Sequence, residues 1–256
     1  MIRYDLEPVI YNFASLSRFA DTASRHGLFA YPVHIKIDSG MHRLGFMPGE
    51  IEELASRIVQ IESLRIVSVF SHFAASEDSR FDDFTHRQAR VFLEAAESIE
   101  AAAAYPLLKH ICNSAAIVRF PQYQFDMVRP GIGIYGIGNH KGLSLKPAGR
   151  FRTSISQIKR IPAGEPVGYG CSDVSDRERI IAILPAGYAD GLNRKLGNGN
   201  GSLFVRNARV PLTGNICMDM CMADVTGTGA EEGDEAEIFG SNISIEELAG
   251  KCNTIP

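Results

Sequence analysis

The chain has 256 residues, 45% hydrophobic and 22% charged, with formal net charge −4 and a pI near 6.0. That balance excludes a disordered chain, and the length suits one large or two medium domains. The mild acidity offers no electrostatic footprint for nucleic acid or anionic lipid, no apolar run nears the ~20 residues of a membrane span, and the N-terminus lacks a signal-peptide core. Five thinly spread cysteines argue against a disulfide framework and fit a cytoplasmic protein.

The first half alternates short β-rich runs with amphipathic helical patterns. Pro8–Phe13 reads as a buried strand, followed by a helix with Leu16, Phe19, Ala20 and Ala23 on one face, stopped by Gly27. Val33–Asp38 is the next strand, then a loop with Ser39-Gly40 and a helix burying Ile51, Leu54, Ala55 and Ile58. Ile66–Phe70 is a third strand, and Asp82 or Asp83 is expected to cap the helix carrying Phe84, Phe92, Ala95 and Ile99. Leu107–Ile111 and Asp126–Val128 read as two more strands, the first followed by a short helix from Ser114.

This rhythm means parallel βαβ units. Polar residues stand where strands end: Asp38, His72, Asn113 and Arg129. A (β/α) barrel and a doubly wound sheet both bind ligands there, so periodicity alone does not choose between them. After Gly136–Gly142 helical periodicity fades, with a boundary near Lys141. Short β-rich segments follow at 152–161, 179–184, 203–205, 208–213, 220–225 and 235–239, with one helical pattern at Ile245–Lys251. Gly197–Ser202 reads as a hairpin loop.

Gly131-Ile-Gly133-Ile-Tyr-Gly136 matches the dinucleotide fingerprint literally, but no helical pattern or spaced acidic residue follows. A bare turn and a phosphate-binding loop remain open for it. Cys217 and Cys221 flank Met-Asp-Met on an expected strand, too few ligands for a metal site.

Together these segments resemble the pyridoxal-phosphate-dependent alanine racemases. Lys36-Ile-Asp-Ser-Gly-Met-His-Arg43-Leu-Gly, Ser71-His72-Phe-Ala, His110-Ile-Cys-Asn113-Ser114-Ala-Ala and Arg129-Pro-Gly131-Ile132-Gly-Ile-Tyr-Gly carry the resemblance in the first half. Val167-Gly-Tyr169-Gly, Gly187-Tyr188-Ala-Asp-Gly-Leu-Asn-Arg194 and Gly214-Asn-Ile-Cys-Met218-Asp219 continue it in the same order. The resemblance implies an α/β chain: a partial (β/α)8 TIM barrel with its first strands missing, over 1–142, then an all-β C-terminal domain over 143–256. It implies a head-to-tail homodimer that racemises alanine with pyridoxal phosphate and supplies D-alanine for peptidoglycan, with no nucleic acid, membrane or metal.

Carried over by motif, Asn113, Ser114, Gly131 and Ile132 would bind the cofactor, the last three at its phosphate. Arg129 would face the pyridine nitrogen, supported by His110. Tyr169 would exchange a proton with the L-enantiomer, partnered by His72. Arg43 would neighbour cofactor and substrate carboxylate, and Lys36 would carry a carbamate bonded to Arg43. Tyr188 and Met218 would line the substrate entrance from the other subunit. A phenol needs nearby positive charge or hydrogen-bond donors to ionise, which suits this cationic surrounding.

One departure concerns the cofactor lysine. The family motif, like V-[VI]-K-A-N-A-Y-G-H-G, does not occur, and Lys36, Lys109, Lys141, Lys146, Lys159, Lys195 and Lys251 all lie in other contexts. The expectation is therefore a fragment of a racemase, inactive by itself. A racemase of serine, lysine or ornithine, or a non-catalytic pyridoxal-phosphate barrel, are the alternatives.

Overall fold

A computed structural model describes residues 1–138 and 145–256. They form two compact units, the first running Met1–Ile134 and the second taking Tyr135–Ile137 and Lys146–Pro256. The boundary expected between 142 and 143, like Lys141, lies outside the described residues.

The first unit contains β1 (Val9–Ile10), α1 (Phe13–Arg25), β2 (Tyr31–Lys36), α2 (Ile51–Ile58), β3 (Leu64–Phe70), α3 (Asp82–Ala103), β4 (Leu108–His110) and α4 (Ser114–Arg119). The strands pair in parallel in the order β1-β2-β3-β4. A doubly wound sheet reverses its order at a switch point, whereas this one is sequential, as in a barrel wall. Period-two alternation sets the two faces of β2 and its extension. Val33, Ile35 and Ile37 are fully buried in one core with Leu16, Leu54, Phe92 and Ile99 of the helices. Each such side chain contributes about 1.5–3 kcal/mol by leaving water. His34, Lys36 and Asp38, the alternate residues, belong to the other face.

Helix starts follow local chemistry. The Asn12 carboxamide accepts from Ser15 N at 2.7 Å and the Ser15 hydroxyl accepts from Asn12 N, a capping box. Asp82 and Asp83 do not cap α3: its N-cap is Phe81, and Asp82 pairs with Arg119 at 2.7 Å. Both aspartates sit in the first turn, where the helix dipole still favours them.

The expected fifth strand at Asp126–Val128 does not form. The segment runs beside β4, with Asp126 N donating to Lys109 O and Arg129 N to Cys112 O. The Asp126 carboxylate takes Lys109 N–H at 2.8 Å in place of a ladder carbonyl, and Phe125 sits at φ +48°, so extended backbone is broken. The first strand is likewise reduced to Val9–Ile10.

The second unit is an antiparallel sheet with a short helix. Its strands are β5 (Phe151–Ser154), β6 (Gln157–Ile161), β7 (Pro166–Val167), β8 (Asp173–Val174), β9 (Arg179–Leu184), β10 (Ser202–Val205), β11 (Ala208–Thr213), β12 (Cys221–Asp224) and β13 (Glu235–Phe239), with α5 at Ile245–Cys252. Seven of them pair in the order β5-β13-β10-β11-β12-β9-β6, while β7 and β8 make a separate ribbon. The glycine-asparagine tract at 197–202 is not a hairpin loop. It joins a 3-10 turn at Arg194–Leu196 to β10 and bonds sideways to Leu212 and Gly214. The tight hairpin is instead Arg206-Asn207, both at positive φ, as the twist of paired strands requires. Of the two cysteines around Met-Asp-Met, only Cys221 lies on a strand. Among the described residues no helix is long and apolar enough to cross a membrane.

Candidate active site

The strand ends of the first unit gather a cationic cluster. Arg129 follows the irregular segment beside β4, and its guanidinium reaches across the sheet's rim. Nη1 donates to His110 Nδ1 and to His110 O at 3.3 Å, and Nη2 donates to Ser71 O at 2.6 Å, His72 Nδ1 at 3.2 Å and Ile111 O at 3.4 Å. These contacts use Nη1 and Nη2; none uses Nε. The Phe70 ring lies under Arg129, 5.2 Å from its Cζ, and stacks on His110 at 4.8 Å. Burial, then the Arg129 charge, push both His72 and His110 down to about 4, so both are neutral imidazoles at pH 7.

Lys36 ends β2 and is only 9% exposed. Its ammonium lies 5.1 Å from the Phe70 ring centre, and its hydrogen bond goes to Ile37 O at 3.5 Å. Burial, then the charges of Arg129 and Arg43, bring its pKa down to about 8 against the pull of Asp38. Arg43 is exposed, and among the described residues no bond joins it to Lys36, as two cations should behave. The intervening loop is tied at both ends. Burial opposes ionisation of Asp38, but the backbone N–H groups of His42 and Gly40 outweigh it and hold the carboxyl below its usual range. Phe46 pairs back onto Lys36 and Asp38, and Gly45 makes this possible. At φ +129° a Cβ there would stand 2.5 Å from Asp38 N, which accounts for glycine at the end of the Arg43-Leu-Gly motif.

Ser114 opens α4 beside the glycine tract. Gly131 N and Gly133 N donate to its Oγ at 2.8 and 3.1 Å. A Cβ on Gly133 would meet Ser114 Oγ at 3.2 Å, so glycine leaves a cradle here that a side chain would fill. Ile132 follows on a 3-10 turn and is exposed. Asn113 acts on the backbone. Its Oδ1 caps α4 at Ala116 N and accepts from buried Ser76 Oγ at 2.8 Å.

Tyr169, Tyr188 and Met218 belong to the second unit. Tyr169 is 73% exposed between Gly168 and Gly170, whose φ values of +77° and +76° turn the chain sharply to present the phenol. Asn215 Nδ2 holds the Tyr169 carbonyl at 2.7 Å. Tyr169 and Met218 line one groove of about 930 Å³ with Val167, Cys217, Met220 and Met222. Tyr188 N bonds to Cys217 O at 3.0 Å, which fixes it beside the Met218 loop.

Residues 1–139 match the family model described as alanine racemase, N-terminal domain, and residues 148–256 match alanine racemase, C-terminal domain. The chain belongs to the alanine racemase family. It is 38% identical to "Alanine racemase 2" of Caldanaerobacter subterraneus subsp. tengcongensis, over 100% of this chain and 68% of that protein. A solved alanine racemase from D-cycloserine-producing Streptomyces lavendulae superposes with a TM-score of 0.91 at 30% identity, covering 98% of this chain and 68% of the other. Another from Bartonella henselae, described with covalently bound pyridoxal phosphate, gives 0.87 at 27%, covering 99% and 70%.

The family motifs contain the residues that meet at the rim, yet they leave out several that hold them. Ser76 and Arg119 brace Asn113 and α3, while Asp173 and Arg179 brace the Tyr169 turn. Asn215, which also braces that turn, lies within the Gly-Asn-Ile-Cys-Met-Asp motif but had no role read for it.

Proposed function

We propose that this alanine racemase-family chain carries the L-alanine side of the interconversion of L- and D-alanine with pyridoxal phosphate. The observation that carries the reading is the Arg129 cluster: a guanidinium held, among the described residues, by neutral acceptors on Nη1 and Nη2 and not on Nε, beside a serine-glycine cradle. The residues fit the cofactor. Ser114 Oγ and the backbone N–H groups of Gly131 and Ile132 would hold its phosphate, and Arg129 Nε–H would face its pyridine nitrogen. When bound, the cofactor withdraws electrons from Cα and so makes the Cα proton removable.

The chain's residues do the rest. Arg129 donates and cannot accept, so it leaves a ring nitrogen unprotonated. Arg129 also donates to His72 Nδ1, which places the remaining N–H of His72 on Nε2, available to a phenolate. Tyr169 Oη takes the Cα proton of L-alanine or returns one, and Arg43 receives the substrate carboxylate. Tyr188 and Met218 narrow the entrance, and Asn113 keeps Ser114 at the helix start. Exposed Tyr169 and Met218 on a methionine-rich groove support a homodimer in which this groove covers a partner's site. A cytoplasmic setting and D-alanine supply for peptidoglycan complete the proposal.

Lys36 deepens it. A neutral amine attacks CO2, forming an N–C bond and releasing one proton to solvent, and the resulting carbamate anion suits Arg43 and Arg129. A pKa of about 8 makes the neutral amine available.

The test is Cα exchange of alanine in D2O with pyridoxal phosphate. The chain should exchange L-alanine faster than the cofactor alone, and Tyr169→Phe should remove that gain. Racemisation needs a second base on the opposite face. Exchange equal to that of free cofactor, or unchanged in Tyr169→Phe, refutes the assignment.

A further inference from the structure

One face of the parallel sheet carries a polar row whose members Glu7, His34 and Ser68 the racemase reading does not use. His34 on β2 and Ser68 on β3 are adjacent partners in the sheet. His34 Nδ1 lies 2.6 Å from Ser68 Oγ, and His34 Nε2 lies 2.7 Å from Glu7 Oε2. On its other side Ser68 Oγ lies 3.3 Å from His110 Nε2, whose Nδ1 faces Arg129. Ser68 is fully buried, and His110 nearly so. The row therefore runs unbroken from a carboxylate at Glu7 to the guanidinium of Arg129.

The chemistry of the two ends fixes the direction of every bond between them. Arg129 has only donors, so His110 Nδ1 must accept. A neutral imidazole then carries its proton on Nε2, which donates to Ser68 Oγ. The Ser68 hydroxyl in turn donates to His34 Nδ1, leaving the His34 proton on Nε2. That proton goes to Glu7, which only accepts when ionised. Each donor is used once and none is stranded. Reversing one link would require two protons on one ring or two donors facing each other. Protonating His34 would also leave the Ser68 hydrogen without an acceptor.

We propose that Glu7, His34 and Ser68 are positioning residues that act through His110, holding the orientation of its ring by the bond at Nε2 so that Arg129 presents Nε–H to the site. The inference rests on the racemase reading for what Arg129 does. Its physical basis is polarisation along a hydrogen-bonded chain in a low-dielectric interior. The acceptors of Arg129 among the described residues are all neutral, so a carboxylate placed at the far end of the row supplies negative charge without touching the guanidinium. A carboxylate in direct contact would compete for the donors that the site needs.

The experiment reads nitrogen-15 resonances of labelled histidine in the full chain at pH 7, assigned with His34→Asn and His110→Asn. His34 and His110 should each show one protonated and one bare nitrogen, with the proton on Nε2. Ser68→Ala removes the bonds at His110 Nε2 and His34 Nδ1, so both of those nitrogen resonances should shift, and Ser68→Thr should bring them back. Glu7 is exposed, so Glu7→Ala keeps the fold and tests the row independently. It should disturb His34 and, through Ser68, also His110. Unchanged His110 resonances in both Ser68→Ala and Glu7→Ala overturn the proposal, as does a His110 proton on Nδ1. The readout needs neither cofactor nor turnover, so its failure is separate from failure of the exchange assay.

Discussion

Asp173→Ala should unfasten the turn that presents Tyr169. Asp173 Oδ1 accepts from Arg179 Nη1 at 2.9 Å, while Oδ2 accepts from Gly214 N at 2.8 Å and from the Thr213 hydroxyl. The arginine side chain is 8% exposed and the carboxylate 20%, so the pair is largely out of water. It clamps the β7–β8 ribbon, and with it Gly168-Tyr169-Gly170, onto β9 and the end of β11. Removing one partner of a buried pair costs about 3–5 kcal/mol because the other charge is stranded. The partial exposure of Asp173 places this case near 3 kcal/mol. With a urea slope of about 2 kcal/mol/M, the midpoint should fall by roughly 1.5 M. Arg179→Met in the same background should recover most of the loss, since the stranded cation is gone. Hydrogen exchange should rise first across 166–174, and the Tyr169-dependent exchange of L-alanine should fall with it. A midpoint shift under about 0.5 M, or a double variant as unstable as Asp173→Ala, would refute the clamp.

Stability should fall on mild acidification. Native His72 and His110 titrate near 4, whereas unfolded histidine titrates near 6.5. Above that value both states are neutral; between about 6.5 and 4 only the unfolded chain takes up these protons, so stability is lost as pH drops through the window. Urea midpoints that do not move between pH 7 and pH 5 contradict the burial argument. Carbon-13 bicarbonate at pH 8.5 should give a carbamate resonance that Lys36→Met abolishes and Arg43→Gln weakens. A signal that persists in Lys36→Met places the adduct elsewhere.

Much of this protein was written locally. Helices α1, α4 and α5 carry their own caps, as Asn12 and Ser15 show for α1, and β9 and β13 follow their β-rich runs to the residue. Gly45, Gly168 and Gly170 mark positions whose backbone only glycine enters readily, and they fix the turns around Arg43 and Tyr169. Other features depend on partners distant in the chain. Asp126–Val128 has strand-like residues, yet a carboxylate competing for a backbone donor on β4 decides its conformation. Asp82 looks like a cap until Arg119, 37 residues onward, claims it. Glu7, His34, Ser68 and His110 lie in four separate segments with no spacing that links them, and only the parallel register of β2, β3 and β4 brings them into one row. Sequence records each residue's own backbone preference and its near neighbours. Hydrogen bonds across parallel strands join residues tens of positions apart, and the register that makes them is a property of the packed sheet.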